Sequence, residues 1–149
     1  MCIADANNMG AAMAPAAADT LARHLTDTGR TPADYDLIIT GDLGRVGHDI
    51  LLQLMADRGQ PLIPERYMDC GLEVYDASQD VHAGGSGCGC SAITLNSLIL
   101  RRFREGELRR VLFMATGALL STTSSQQGDT IPGVAHAIVL EGEGVCSGR

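Results

Sequence analysis

Apolar residues recur at helical spacing in three segments of the chain. The first, residues 9–28, is rich in alanine, follows two asparagines that can cap a helix, and precedes Gly29, which is typical of a helix end. Residues 46–58 and 90–104 show the same spacing, and Gly59 follows the former. The sequence therefore predicts helices over these three segments.

Short runs of β-branched and other apolar residues lie between these helices and after them. They predict buried strands over 35–41, 110–116 and 133–141, with a weaker strand at 66–68. Strands that alternate with helices form a parallel sheet covered on both faces. Only a polar loop, 121–127, joins the last two strands, so we expect the final strand to run antiparallel to its neighbour. The predicted fold class is α/β, and its first element is a helix with no strand before it.

The composition of the chain excludes several classes of function. The chain has 149 residues, the size of one domain, and its eleven basic residues are all arginine, so a Schiff-base lysine and a Walker lysine are excluded. The net charge of −7 argues against nucleic-acid binding and against electrostatic attachment to anionic lipid. No apolar run approaches the ~20 residues of a membrane-spanning helix. The N-terminus shows no signal-peptide pattern. We therefore expect no nucleic-acid partner and no direct membrane insertion.

Glycines cluster where a loop enters the third predicted helix, at residues 84–90. Successive small residues allow backbone N–H groups to converge on an anion, and a helix N-terminus adds positive potential. The alternative is a turn that only permits close packing, and we favour it slightly. The candidate ligand-binding residues of this turn are Gly84, Gly85, Ser86, Gly87 and Cys88.

Two further side chains are candidates for ligand contact. Asp42 follows a predicted strand end, where α/β sheets place ligand-binding groups, although an N-cap for the next helix is the interpretation we favour. His136 lies within the last apolar strand, where we favour a hydrogen-bonded core imidazole. A cluster of arginines at 101–110 could bind an acidic partner, but a solvated helix end is the simpler interpretation.

Thiol chemistry and metal binding are weaker alternatives. Without a secretion signal, the five cysteines are expected to be reduced thiols; they are Cys2, Cys70, Cys88, Cys90 and Cys146. Cys88 or Cys90 could act as a nucleophile with His82 or His136 as base. Cys70, His82, Cys88 and Cys90 also offer the ligand types of a zinc site, but the Cys-x-Cys spacing is not the usual one. We expect packing roles and no metal.

Five segments resemble, in order, the stage V sporulation protein AD family. They are 5–17 (DANNMGAAMAPAA), 40–44 (TGDLG), 79–92 (QDVHAGGSGCGCSA), 116–121 (TGALLS) and 131–137 (IPGVAHA). The resemblance extends over nearly the whole chain. It implies a thiolase-like fold of two similar halves, each a five-stranded sheet flanked by helices, of which residues 1–149 form one C-terminal half domain. The chain begins just after that half's first strand, so we expect a fragment whose sheet lacks this strand.

The resemblance implies ligand binding rather than turnover. The family is associated with dipicolinic acid and its uptake into the forming spore, alongside membrane-embedded partner proteins. We therefore expect dipicolinate as ligand, with or without Ca²⁺, and a cytoplasmic location or a peripheral one at the spore inner membrane. The expected ligand-binding residues are Asp42, His82 and the five residues of the glycine turn, Gly84 to Cys88. No cofactor is expected.

The alternative function is acyl transfer of the thiolase or ketoacyl-synthase type. Enzymes of that superfamily use a cysteine in the N-terminal half, which this chain lacks. They also use a histidine after the second strand, where this sequence has Thr40-Gly41-Asp42, and a second His or Asn for which His82 could substitute. We therefore expect no catalytic residues.

A third possibility is a structural domain whose sheet edge docks against another half, and an oligomer is a further possibility. A sheet that lacks an internal strand exposes unpaired backbone.

Overall fold

A four-stranded sheet forms the centre of this computed structural model, which describes residue 5 and residues 8–142. The strands are β1 (Leu37–Thr40), β2 (Tyr67–Asp69), β3 (Arg110–Ala118) and β4 (Gly133–Glu141). Their order across the sheet is β2-β1-β3-β4. β1 runs parallel to both β2 and β3, whereas β4 runs antiparallel to β3. The predicted mixed, mostly parallel sheet and its antiparallel last strand are confirmed.

Helices flank the sheet, and short 3₁₀ turns at 32–34, 64–66 and 77–79 connect some of the elements. In chain order the helices are α1 (Met9–Thr28), α2 (Gly44–Asp57), α3 (Cys70–Glu73), α4 (Cys90–Thr94), α5 (Leu100–Arg104) and α6 (Thr122–Gln126). A π-helical turn, Leu95–Ile99, joins α4 to α5.

Helix α1 begins and ends where its sequence predicts. The Asn8 side chain accepts a hydrogen bond from the Ala11 N–H, which caps the first turn. Gly29 adopts a left-handed conformation, with φ of 64°, and its N–H bonds the carbonyls of the last turn. The small residues of α1 allow close packing: Gly10 lies against Gly47 of α2, and a Cβ on Gly10 would meet backbone atoms.

Alternate strand residues face two separate hydrophobic clusters, as expected for a sheet covered on both sides. Ile38, Leu112 and Met114 pack with α1 and α2 on one face. Ile39 and Phe113 point to the opposite face, where they pack with residues of α3, α4 and the π turn. The chain therefore forms three layers, helix, sheet and helix, in agreement with the predicted architecture.

Some boundaries differ from the prediction. The helix predicted over 90–104 contains the π turn because three polar side chains in this region bond carbonyls four residues back: Thr94 to Cys90, Asn96 to Ala92 and Ser97 to Ile93, at 2.7–3.1 Å. The predicted polar loop at 121–127 contains the short helix α6. Helix α2 begins at Gly44 rather than at 46.

The sheet has no gap at its centre. β1 pairs directly with β3, with Ile38 opposite Leu112, so the described four-stranded sheet does not show the unpaired internal backbone that we expected of a sheet without its first strand. The carboxyl ends of the parallel strands β1, β2 and β3 meet at one edge of the sheet. In open α/β sheets this is the edge at which ligands bind.

Candidate functional site

A buried carboxylate, Asp69, organises the loops at the carboxyl edge of the sheet. Its Oδ2 accepts hydrogen bonds from the Thr40 hydroxyl at 2.6 Å and the Leu43 N–H at 2.9 Å. Its Oδ1 accepts from the N–H groups of Gly44 and Gly71, both at 3.0 Å. The side chain is 1% exposed. Asp69 therefore fixes the loop after β1 and the start of α3 relative to each other.

Sequence reasoning did not single out Asp69. A signal was present, because an aspartate directly after a strand and before a small residue is a typical N-cap, and Asp69 caps α3. Its bonds to the loop after β1, however, connect residues 25 and 26 positions apart and depend on the strand order.

Asp42 joins three elements at the same edge. Its Oδ2 accepts from the Ser86 hydroxyl at 3.0 Å and the Gly87 N–H at 3.2 Å. The Thr116 hydroxyl, at the end of β3, donates to its Oδ1 at 3.3 Å and accepts from its backbone N–H at 3.2 Å. The favoured role as an N-cap is wrong, because Leu43 occupies that position and the Asp42 carboxylate turns toward the glycine turn.

The glycine turn divides into two parts. Gly84 and Gly85 pack against Gly71: the Gly85 N–H donates to the Gly71 carbonyl at 2.6 Å, and a Cβ on Gly84 would lie 2.6 Å from that oxygen. Gly84 and Gly87 also have positive φ angles, 113° and 120°, which favour glycine. Ser86 bonds Asp42 and lines the hollow beside it. Gly84 and Gly85 therefore have the packing role that the sequence favoured. The Gly87 N–H binds an anion, but that anion is the chain's own Asp42 carboxylate.

A groove of about 610 Å³ lies beside this network, between α4 and β3. Its floor is formed by Phe113, Ala115 and Gly117 of β3. Its remaining lining residues are Met9, Met13, Asp42, Ser86, Gly87, Cys88, Ser91, Ala92, Leu95, Thr116 and Ala118. One end is therefore polar, with a carboxylate and hydroxyl groups, and the rest is apolar.

His82 does not join this groove. Its side chain is 88% exposed and faces Asp80, with 3.5 Å between Nδ1 and Oδ1. It lines a separate hollow of about 230 Å³ that also contains Arg45. Of the predicted ligand-binding residues, the structure brings Asp42, Ser86, Gly87 and Cys88 together, whereas Gly84 and Gly85 line a neighbouring hollow of about 440 Å³ that shares Asp42 and Ser86.

Two of the three described cysteines are buried thiols. Burial raises the pKa of Cys70 to about 12 and that of Cys90 to about 11. Both are therefore protonated at neutral pH, and the Cys90 thiol donates to the Gly41 carbonyl, with 3.8 Å between sulfur and oxygen. Cys88 is exposed. Within the described residues, no group of three or more His, Cys, Asp or Glu side chains is placed to hold a metal ion. Cys2 and Cys146 lie outside the described residues.

His136 and the arginine cluster lie outside the groove. His136 is exposed on β4, so the favoured core position is wrong: its side chain points to the face of β4 that α1 does not cover. Three of the arginines pair with glutamates: Arg101 with Glu105, Arg102 with Glu107, and Arg110 with Glu141. These pairs fit the interpretation as a solvated helix end.

Comparison with known proteins identifies the family. The sequence profile of stage V sporulation protein AD matches residues 1–141. The chain belongs to the stage V sporulation protein AD family. It is 51% identical over 145 residues to stage V sporulation protein AD of Bacillus subtilis (strain 168). That alignment covers 97% of this chain but only 43% of the relative, so the chain spans less than half of the relative's length.

Membership of this family confirms the resemblance found in the sequence. Among the described helices, none is both long enough and apolar enough to span a bilayer.

Proposed function

We propose that this chain is a non-catalytic binding module of a sporulation protein and that it binds dipicolinate in the groove between α4 and β3. Family membership supports the role in sporulation. The ligand comes from the sequence resemblance. The observation that carries the proposal is the division of the groove into an apolar part and one polar end.

The apolar part suits a flat aromatic ring. Leu95 of the π turn, Phe113 of β3 and Met13 of α1 all line it, and Ala115 and Gly117 leave its floor free of large side chains. The Ser91 hydroxyl lines the same groove and can donate a hydrogen bond to a carboxylate oxygen, whereas the hydroxyl groups of Ser86 and Thr116 already donate to Asp42. A pyridine dicarboxylate presents both kinds of surface.

Charge determines the form in which this ligand would bind. The groove contains the Asp42 carboxylate, and no arginine or histidine is among its described lining residues. A free dianion would therefore meet a like charge at Asp42, which is unfavourable. The calcium chelate of dipicolinate carries no net charge, and its cation would be attracted to Asp42. We therefore propose that the chelate is the bound form.

The thiols support binding rather than acyl transfer. A nucleophilic cysteine needs a thiolate and a base within hydrogen-bond reach. Cys70 and Cys90 have raised pKa values, and His82 lies outside the groove that Cys88 lines. Attachment to the spore membrane, in this proposal, is through partner proteins of the same uptake system.

Calorimetric titration tests the proposal. We expect saturable one-to-one binding of dipicolinate in the presence of Ca²⁺ and at least about tenfold weaker binding with a chelator of Ca²⁺. Ala115→Leu fills the floor of the groove and should abolish binding, whereas Ala33→Leu, in a different surface hollow, should not.

A second pair of variants tests the polar end. Ser86→Ala removes a hydroxyl that bonds Asp42, and Ser78→Ala removes a hydroxyl that bonds Asp76 at 2.6 Å; neither Ser78 nor Asp76 lines the groove. Only the former should weaken binding. Absence of binding by the folded wild-type chain would refute the proposal.

A further inference from the structure

Three hydrogen-bond donors converge on the side chain of Asp42. The Ser86 hydroxyl and the Gly87 N–H donate to Oδ2 at 3.0 and 3.2 Å, and the Thr116 hydroxyl donates to Oδ1 at 3.3 Å. The first two donors belong to the turn before α4, whereas Thr116 lies in β3. The tertiary structure therefore assembles donors for both oxygens of one carboxylate group.

Gly87 belongs to this donor set through its conformation and not through packing. Its φ is 120°, a region that favours glycine, yet a Cβ at this position would meet no atom within 4 Å. Gly84 differs, because a Cβ there would lie 2.6 Å from the Gly71 carbonyl oxygen. The glycine at position 87 is therefore required by the backbone path that presents its N–H to Asp42.

Asp42 is held more loosely than the buried carboxylate of Asp69. The hydrogen bonds to its oxygens are 3.0–3.3 Å long, whereas those to Asp69 are 2.6–3.0 Å. Charge-assisted bonds to a carboxylate are usually about 2.7–2.9 Å long. Asp42 is half-buried and lines both the groove and the neighbouring hollow of about 440 Å³, so open space adjoins it on two sides. Its carboxylate therefore has room to leave these donors.

We propose that Asp42 fills a carboxylate-binding site in its own groove and that a carboxylate of the ligand replaces it there on binding. The identity of that ligand rests on the proposed function. Ca²⁺ takes about 6–8 oxygen ligands. Dipicolinate chelates it through the ring nitrogen and one oxygen of each carboxylate, which leaves positions open for Asp42. The outer carboxylate oxygens of the chelate then accept the hydrogen bonds of Ser86 and Gly87, so no donor loses its acceptor.

This exchange makes Asp42 the residue that selects the charged form of the ligand. Without a cation nothing draws Asp42 away, so a free dianion meets occupied donors as well as a like charge. Two substitutions separate these effects. Asp42→Asn removes the charge but keeps an amide oxygen on the donors, whereas Asp42→Ala removes both the charge and the occupant.

Formate, a small carboxylate, tests the site without dipicolinate. In Asp42→Ala it should bind between the three donors and raise the midpoint of thermal unfolding, compared with chloride at the same ionic strength. At about ten times its dissociation constant, formate would multiply the folding equilibrium constant by about eleven, which corresponds to roughly 3–5 °C for a chain of this size. Addition of Ser86→Ala should remove most of this gain. If Asp42→Ala is unfolded alone, recovery of its far-UV circular dichroism spectrum with formate is the equivalent result.

The controls show whether formate acts at this site. The wild type and Asp42→Asn keep the site filled and should gain no more from formate than from chloride. Asp76→Ala removes a carboxylate that also accepts from a serine hydroxyl, at 2.6 Å, and a backbone N–H, at 2.9 Å, but both donors belong to Ser78. It should gain nothing either, because the donors of one neighbouring residue do not form a site for a separate ion. No gain in Asp42→Ala, or an equal gain in a control, refutes the carboxylate site.

Calorimetry with dipicolinate tests the exchange itself. The wild type should bind at least about tenfold more tightly with Ca²⁺ than with a chelator of Ca²⁺, and this ratio should fall to about threefold or less in Asp42→Ala. Asp42→Asn should bind the free dianion about tenfold more weakly than Asp42→Ala, because its amide still occupies the donors. An unchanged ratio in Asp42→Ala, or equal dianion binding by the two variants, refutes the exchange. If the wild type binds neither form while formate stabilises Asp42→Ala, the proposed function fails and the carboxylate site is supported.

Discussion

Replacement of Asp69 by asparagine tests whether the buried carboxylate holds the loops of the site. The two side chains have nearly the same shape, so the change removes the charge and turns one acceptor oxygen into a donor. The amide oxygen fits best toward the N–H groups of Gly44 and Gly71. Its NH₂ group then faces the Thr40 hydroxyl and the Leu43 N–H.

The magnitude follows from these four contacts. Thr40 can adapt, because its hydroxyl can accept from the amide and donate to the Tyr67 hydroxyl 3.1 Å away. The Leu43 N–H cannot, and an orphaned buried donor costs ~1–3 kcal/mol. The two glycine bonds become neutral, which loses ~1 kcal/mol each. An amide is less costly to bury than a carboxylate, so part of this loss is recovered. We expect a net loss of ~2–4 kcal/mol in the free energy of unfolding.

Urea denaturation followed by far-UV circular dichroism measures this loss, since the chain contains no tryptophan. The matched control is Asp36→Asn. Asp36 also accepts two backbone N–H bonds, from Arg109 at 2.7 Å and Arg110 at 2.8 Å, but it is exposed and one oxygen accepts both. Its replacement should cost less than about 1 kcal/mol. If the two variants lose equal stability, the assignment of Asp69 as the organising residue is refuted.

Two further predictions concern pH and thiol reactivity. Burial lowers the pKa of His24, with a smaller contribution from Arg30, so as pH falls through about 6.5 the unfolded chain binds a proton that the folded chain does not, and stability decreases. Carboxylates with lowered pKa, such as Asp36, lose their stabilising effect only below about pH 4, so they do not contribute between pH 7 and 5.5. In this range the decrease of stability with falling pH should flatten in His24→Gln but persist in His136→Gln. Denaturation midpoints measure both, and an unchanged pH dependence in His24→Gln would contradict the reasoning. Among the described cysteines, an alkylating reagent at pH 7.5 should label Cys88 first, since Cys70 and Cys90 are buried and have raised pKa values. Time-resolved peptide mapping measures the rate of labelling at each cysteine, and equal rates at the three would contradict this prediction.

Hydrophobic periodicity in the sequence determined most of the secondary structure. Helix α1 follows its prediction because its cap, its apolar spacing and Gly29 are local signals. The strands followed from short apolar runs, and the antiparallel β4 from the short connection before it. The π turn was not predicted, because it depends on three polar side chains that compete for backbone carbonyls. The family was recognisable because five motifs occur in one order, and the profile match confirms it.

Tertiary structure alone decided which of the candidate residues meet. Asp42, Ser86 and Thr116 are up to 74 positions apart, and only the order β2-β1-β3-β4 brings them to one edge. His82 is close to the glycine turn in sequence, yet its positive φ of 52° places it in a different hollow. The sequence marks Asp69 as an N-cap, but its bonds to the loop after β1 follow only from the tertiary structure. Contacts distant in sequence depend on how strands pair, and the pattern along one chain does not encode that directly.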